Sequence, residues 1–161
     1  MMVGPGAGGE SVAAEAPFVD ALGALAFLTP EEARSLIARC TEQQFAAGEI
    51  MMDAGTPADY MGFVLTGKVA VKKASQFPGR FTLLAELEPG AMVGEGGMVS
   101  GEERGLTVVA ATDTRLLLLP RREFLRLWEE EKSLALKLMA RIVKVMRHRL
   151  HSAGARLSWI L

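Results

Sequence analysis

The chain has 161 residues, which suits one domain with short extensions, and half of these residues are hydrophobic. Its formal net charge of −1 excludes the strongly basic balance that nucleic-acid-binding domains usually carry, so we expect no direct contact with nucleic acid. A single cysteine, Cys40, excludes an internal disulfide and any site that needs four thiolates. No apolar run reaches the roughly 18 residues that suggest a membrane span, and the N-terminus lacks the pattern of a secretory signal. The sequence therefore predicts a cytoplasmic protein that makes no membrane contact.

The N-terminal part predicts a tail followed by two helices. Residues 1–16 are rich in glycine and offer little apolar surface to offset the entropy of ordering, so we predict a disordered tail. The Ala- and Leu-rich stretch over 17–28 predicts a short helix. Thr29 predicts the N-cap of a second helix, where Glu32 completes a capping box. Cys40 lies on the apolar face of that helix, which indicates a small buried residue and not a nucleophile.

Residues 41–120 have a different sequence pattern, in which short apolar runs alternate with glycine turns. Such a pattern is typical of an all-β barrel or jelly roll. Thr66–Lys68 predicts a hairpin turn whose flanking strands pair with each other. The predicted strands cover Gln44–Ala46, Ile50–Met52, Met61–Leu65, Val69–Val71, Phe81–Leu87, Thr107–Ala111 and Arg115–Leu119.

Helical spacing returns over 121–157, as a short segment at Arg121–Trp128 and a long one at Ser133–Leu157. The long segment carries two apolar stripes, which we call the first stripe (Leu134, Leu138, Ile142, Val145) and the second stripe (Met139, Val143, Met146, Leu150, Ala153, Leu157). The second stripe alternates steps of four and three, like the seam of a helix pair. We therefore expect the chain to form a homodimer through the second stripe. The alternative is that both stripes are buried in the core of one subunit.

Three residues form a group whose chemistry suits a phosphate and a ribose. Gly94 is followed at once by Glu95, and Arg104 comes nine residues later. An arginine is a charged, forked donor that matches phosphate oxygens, and a carboxylate can accept a hydrogen bond from a ribose hydroxyl. Glycine lets backbone N–H groups come close to a phosphate. A surface turn with an ordinary ion pair is the alternative reading of the same three residues.

The surroundings of these residues resemble the cyclic-nucleotide-binding domain shared by the catabolite activator protein, the regulatory subunit of protein kinase A and cyclic-nucleotide-gated channels. The similarity rests on Tyr60–Val69, Leu87–Glu95 and Arg104–Val108, and it extends from about Phe18 to Leu157. It implies a mainly β fold with flanking helices. In that fold a double-stranded β-helix, or jelly roll, over 41–120 has helices before it and a long C-terminal helix after it, within one domain at 17–161.

The resemblance also implies roles for individual residues. Glu95 would accept the ribose 2′-hydroxyl, Arg104 would bind the phosphate, and Arg149 or His148 on the long helix would reach the base. The ligand-binding set predicted in this way is Gly94, Glu95, Gly96, Gly97, Met98, Arg104, Gly105, Leu106, Thr107 and Arg149. The ligand would be cyclic AMP or cyclic GMP, with no cofactor or metal.

The sequence departs from the family pattern at two places. Gly96 stands where relatives usually have an apolar residue, and Glu102 and Glu103 directly precede Arg104. Glycine loosens the turn at a cost of about 1 kcal/mol of backbone entropy. We expect the two carboxylates to pair with Arg104 when no ligand is bound.

Three functions stay open. The first is a regulatory Crp/Fnr-like module without a helix-turn-helix domain, since the chain ends at Leu161, that signals to an unknown effector protein. The second is a ligand-free dimerisation module, in which Glu95 and Arg104 would be held in intramolecular pairs. The third is a cupin-like enzyme without a metal, since residues 1–147 contain no histidine to bind one.

Overall fold

The computed structural model describes residues 21–158, with side chains described to residue 155, so the predicted tail at 1–16 lies outside it. Two four-stranded antiparallel sheets form a β-roll, in the orders β1-β8-β3-β6 and β2-β7-β4-β5. The strands are β1 Thr41–Phe45, β2 Ile50–Met52, β3 Tyr60–Thr66, β4 Val69–Ala74, β5 Phe81–Leu87, β6 Met92–Val93, β7 Thr107–Ala110 and β8 Thr114–Pro120. The helices are α1 Pro30–Ile37, α2 Gly96–Ser100, α3 Arg121–Glu130 and α4 Lys132–Ser158, and residues 21–24 are also helical. This architecture confirms the predicted β-roll with a long C-terminal helix.

The connection between β3 and β4 is not the hairpin that the sequence predicted. These strands lie in different sheets, so Thr66–Lys68 carries the chain from one sheet to the other and does not close a hairpin. The turn packs against the β7–β8 connection, where the Lys68 N–H donates to Thr112 Oγ1 over 2.9 Å. A Cβ on Gly67 would lie 2.3 Å from the Asp113 carbonyl oxygen, so the close approach of the two turns requires glycine. Pairing partners lie far apart in the sequence, which is why local turn signals do not identify them.

Helix α1 begins as the sequence predicts. The Thr29 side chain accepts the Glu32 N–H, and the Glu32 carboxylate accepts the Thr29 N–H over 2.9 Å, which completes the capping box. After the helix, Arg39 pairs with Glu130 at 2.7 Å and with Glu131 at 2.9 Å, at the corner between α3 and α4. These contacts fix the N-terminal helix against the helices that follow the roll.

Cys40 lies beside the end of α1, where its thiol donates to the Leu36 carbonyl over 3.2 Å. Burial raises the pKa of this thiol to about 12, with a further contribution from the Glu123 carboxylate. The reactive thiolate is therefore scarce at neutral pH, as expected for a structural cysteine, although Cys40 is only partly buried.

Helix α4 separates its two apolar stripes. Leu134, Leu138 and Ile142 of the first stripe are buried against the roll and α3. In the second stripe Val143 is 59% exposed and Leu150 is 76% exposed. The first stripe therefore belongs to the core, while most of the second faces outward. Among the described helices, none is long and apolar enough to cross a membrane.

Candidate ligand-binding site

A cavity of about 550 Å³ lies between the β-roll and α4. We call it the roll cavity. Three groups of predicted site residues meet in its walls, namely Gly94–Gly97, Arg104–Leu106 and Arg149. The volume is within the range of small-molecule pockets, about 300–1,000 Å³. Residues up to 55 positions apart in the sequence are thus brought together at one concave surface.

Arg104 is a buried cation with an unusual set of contacts. Its side chain donates to the Tyr60 carbonyl oxygen over 2.6 Å, and its guanidinium carbon lies 4.7 Å from the centre of the Tyr60 ring. Burial lowers the pKa of Arg104, although an arginine stays protonated at neutral pH. In the described part of the chain Arg104 has no ion pair, so the pairing predicted with Glu102 and Glu103 is wrong for this structure.

The backbone of Arg104 is anchored to the loop between β2 and β3. Its N–H donates to the Thr56 carbonyl over 2.9 Å, and its carbonyl accepts the Gly55 N–H over 2.7 Å. Thr107 holds the same loop, because its hydroxyl donates to the Asp53 carboxylate over 3.0 Å and accepts the Ala54 N–H over 3.2 Å. Thr107 thus positions the Arg104 segment and does not line the roll cavity.

The glycines of the Gly94–Gly97 turn differ in what they permit. Gly94 has a φ of 73°, and a Cβ there would lie 2.7 Å from Arg104 Nη1. A Cβ on Gly97 would lie 2.2 Å from the Ala58 Cβ. A Cβ on Gly96 would meet nothing within 4 Å. Space therefore requires glycine at two of these positions, while the third, where the sequence departs from the family, is open.

Met98 lies in the same turn but points away from the roll cavity. Its side chain is fully buried in the core beneath the helices, and its N–H donates to the Glu95 carbonyl over 3.1 Å. Met98 therefore fixes α2 to the body of the protein, and neither its side chain nor its N–H is free for a ligand.

Glu95 and Arg149 connect the turn to α4. The carboxylate of Glu95, a residue that is 4% exposed as a whole, forms an ion pair with Arg149 Nη1. Arg149 Nη2 donates to the Met92 carbonyl over 2.5 Å. A carboxylate this deeply buried needs a cation partner, because burial otherwise disfavours its charged form. His148, the other candidate for contact with a base, lines a different cleft.

Several lining residues were not among the predicted set. The additional lining is apolar at Met52, Val71, Val93, Val108, Met146 and Leu150 and polar at Ser100, Glu102 and Glu103. Tyr60 lies behind Arg104 and outside the lining. Met146 lies three positions before Arg149, so helical spacing could have placed both on one face. The strand residues carry no local signal that separates a cavity wall from an ordinary core. Among the described residues, no group of three or more His, Cys, Asp or Glu side chains could hold a metal ion.

Known proteins similar to this chain identify its family. The family model described as "Cyclic nucleotide-binding domain" matches residues 42–131, more than half of the chain. The chain belongs to the cyclic nucleotide-binding domain family. The match contains nearly all of the β-roll, the glycine turn and Arg104, but no part of α4 and so not Arg149. Cyclic nucleotide-binding domains are generally regulatory and not enzymatic.

Three relatives place this cyclic nucleotide-binding domain among proteins of different kinds. A cyclic nucleotide-gated potassium channel of Mesorhizobium japonicum is 39% identical over 89 residues, 55% of this chain and 23% of the channel. Glutaminase 2 of Bradyrhizobium diazoefficiens is 30% identical over 132 residues, 82% of this chain and 20% of that enzyme. A crystal structure of a cyclic nucleotide-binding domain from Methylobacillus flagellatus has a TM-score of 0.82 at 24% identity, with 92% of this chain and 86% of that chain covered. The chain thus spans a quarter or less of the length of the two curated relatives.

Proposed function

We propose that the chain is a non-enzymatic regulatory module that binds cyclic AMP or cyclic GMP in the roll cavity. One observation carries the proposal. Arg104 is a buried cation in the cavity wall and is bonded only to a neutral carbonyl and an aromatic ring, with no carboxylate partner in the described residues. A buried cation without a counter-charge favours an anion, and a cyclic phosphodiester carries one negative charge.

The remaining cavity residues fit the rest of such a ligand. Glycine at position 94 leaves open the space beside Arg104 Nη1, where a phosphate oxygen can approach. The Arg149 ion pair engages one oxygen of Glu95, so the second can accept a ribose hydroxyl. Apolar side chains such as Val71 and Leu150 offer a surface for a flat base.

Signalling would pass through α4. Arg149 and Met146 belong to this helix and also line the roll cavity, so ligand contacts and helix position are linked. A ligand can shift the helix only by its difference in affinity for the two arrangements. We place the protein in the cytoplasm, as a homodimer that joins through the second stripe and acts on an effector protein.

The principal alternative is a dimerisation module that binds no nucleotide. The Glu95–Arg149 pair favours it, since the charge of that carboxylate is already neutralised without a ligand. Arg104 favours the nucleotide, because its charge has no such partner. No contact in the described residues favours a cupin-like enzyme.

Calorimetry of the chain with cyclic AMP and with cyclic GMP tests the proposal. We expect saturable binding, and Arg104→Ala should weaken it by about 10- to 100-fold, because hydrogen bonds to charged groups contribute ~1.5–3 kcal/mol. Arg122→Ala is the matched control, since the Arg122 side chain is 82% exposed and lies outside the cavity. The absence of both heat and thermal stabilisation at millimolar nucleotide would refute nucleotide binding.

A further inference from the structure

A second cleft lies on the other side of Arg149, between α4 and the chain segment that runs from β5 to β6. Its volume is about 600 Å³, comparable with the roll cavity. We call it the basic cleft. One wall is the backbone and side chains of Ala85–Leu87 with Met92, and the other is a single face of α4.

The helix wall of this cleft carries several hydrogen-bond donors beside the apolar Val145. Arg141, Lys144 and His148 follow one another at spacings of three and four, so they share a face. Ser152 continues the same face by one turn. The only carboxylate among the described lining residues is Glu86, on the opposite wall.

The two cations of this face, Arg141 and Lys144, are not neutralised within the described part of the chain. Arg141 lies over the Phe27 ring, with its guanidinium carbon 5.6 Å from the ring centre, and forms no ion pair there. Lys144 and His148 also have no ion pair in the described residues. Elsewhere on the same helix the pattern differs, since Lys137 pairs with Glu32 over 2.6 Å. Like charges at helical spacing repel one another, and an anion between them relieves that repulsion.

Arg149 is a wall of both cavities. It lines the basic cleft and the roll cavity, and it is fixed between the Glu95 carboxylate and the Met92 carbonyl. An anion in the basic cleft would attract the same guanidinium that holds Glu95. Occupancy of one cavity would therefore change the position or charge environment of a side chain in the other.

We propose that the basic cleft is a second binding site, for a small phosphate-bearing anion, and that it is coupled to the roll cavity through Arg149. Guanidinium, ammonium, imidazole and hydroxyl donors along one wall suit phosphate oxygens. The coupling rests on the proposed nucleotide function, whereas anion binding in the basic cleft does not. By linkage, the anion and the nucleotide must alter each other's affinity by the same factor.

Titration with inorganic pyrophosphate, followed by calorimetry in a buffer free of phosphate and low in salt, tests the site. Because Arg104 in the roll cavity is itself a phosphate ligand in our proposal, the titration is also made with Arg104→Ala. Saturable binding that persists in Arg104→Ala places the anion outside the roll cavity. Lys144→Gln should then weaken binding about fivefold, as expected for loss of one partly exposed charge contact.

Arg147→Gln is the matched control, since it removes one positive charge from an exposed position on the same helix outside the cleft. It should change the affinity less than about twofold. Equal weakening by the two variants would overturn the proposal in favour of diffuse attraction to the helix. Loss of all pyrophosphate binding in Arg104→Ala, or no saturation in the unaltered chain, would also overturn it.

Two further pairs of titrations test the coupling. Cyclic AMP is titrated with and without saturating pyrophosphate, and pyrophosphate with and without saturating cyclic AMP. The ratio of the dissociation constant with the second ligand to that without it should be the same for both. Equal constants with and without the second ligand would refute coupling through Arg149. A chain that binds pyrophosphate but no cyclic nucleotide would refute the nucleotide function and leave the second site standing.

Discussion

At the scale of single residues, the two buried charges of the roll cavity, Glu95 and Arg104, have different kinds of partner. Glu95 is neutralised by the guanidinium of Arg149, while Arg104 is held by the Tyr60 carbonyl and ring. A carbonyl dipole and an aromatic face stabilise a cation without cancelling its charge. The positive charge of Arg104 is therefore not cancelled by an ion pair in the described residues, and this difference supports the proposal that the site binds an anion.

The adjacent glycines at 96 and 97 give a matched pair of substitutions. Gly97→Ala should lower the free energy of unfolding by ~1–3 kcal/mol, because its Cβ would overlap Ala58 and displace α2. Gly96→Ala should raise it by about 0.5–1 kcal/mol, since the new methyl meets open space in a helical position.

Urea denaturation of the two variants measures the difference. Nucleotide affinity should fall in Gly97→Ala as well, because α2 continues directly from Glu95. Equal stability of the two variants would contradict the close packing of Gly97 on Ala58.

At the scale of elements, the long helix α4 is tied to the glycine turn by one side chain. Arg149 reaches both Glu95 and the Met92 carbonyl, and so joins α4 to the segment between β6 and α2. The side-chain exposures are 5% for Glu95 and 35% for Arg149. Because one partner is almost fully buried, removal of the other leaves an uncompensated charge in the protein.

A double-mutant cycle tests this connection. Glu95→Gln and Arg149→Met should be coupled by ~1–3 kcal/mol in the free energy of unfolding, as contacting buried charges are. The exposed pair of Lys68 and Glu88, 3.8 Å apart, is the control and should give a coupling of at most about 0.5 kcal/mol. Additive effects of the Glu95 and Arg149 changes would show that α4 is not held by this pair.

Some of these elements could be predicted from the sequence and others could not. The α1 capping box and the helices after Pro120 depend on residues within a few positions of each other, and the structure confirms them. The β3–β4 hairpin was wrong because sheet partners are chosen by contacts distant in the sequence. The stacking of Arg104 on Tyr60, 44 residues earlier, and the burial of Met98 have no local signal for the same reason.

The positions of the predicted binding residues can be compared with the structure, but their contacts with a ligand cannot. The structure gathers all of them around the roll cavity except Met98 and Thr107, which support its walls from behind. Motif resemblance could place them because the Gly94–Glu95 and Arg104 segments are recognisable by sequence alone. Their roles toward a nucleotide remain predictions until binding is measured.

At the scale of the whole molecule, the second stripe exposes several apolar side chains of α4. Val143 and Leu150 are 59% and 76% exposed, and Leu150 also lines the roll cavity. A second copy of the chain packed on this stripe would rest on the helix that borders the ligand. Dimer geometry and nucleotide binding would then depend on the same element.

Val143→Glu tests the dimer without altering the roll cavity, since Val143 does not line it. We expect the variant to sediment as a monomer at concentrations where the unaltered chain is a dimer, because a carboxylate would be buried at an apolar seam. Lys144→Glu, at the next position and outside the second stripe, should leave the sedimentation unchanged. A monomeric unaltered chain, or a dimeric Val143→Glu variant, would contradict the expected seam.

The position of Arg149 has a consequence for the speed of binding. Its guanidinium and the neighbouring side chains Met146 and Leu150 border the roll cavity from the helix side. If a nucleotide binds beneath them as proposed, lifting of the helix from it would require Arg149 to part from Glu95. The residence time of the ligand would then follow the opening rate of α4, and differences in affinity between variants of this helix would be found mainly in dissociation.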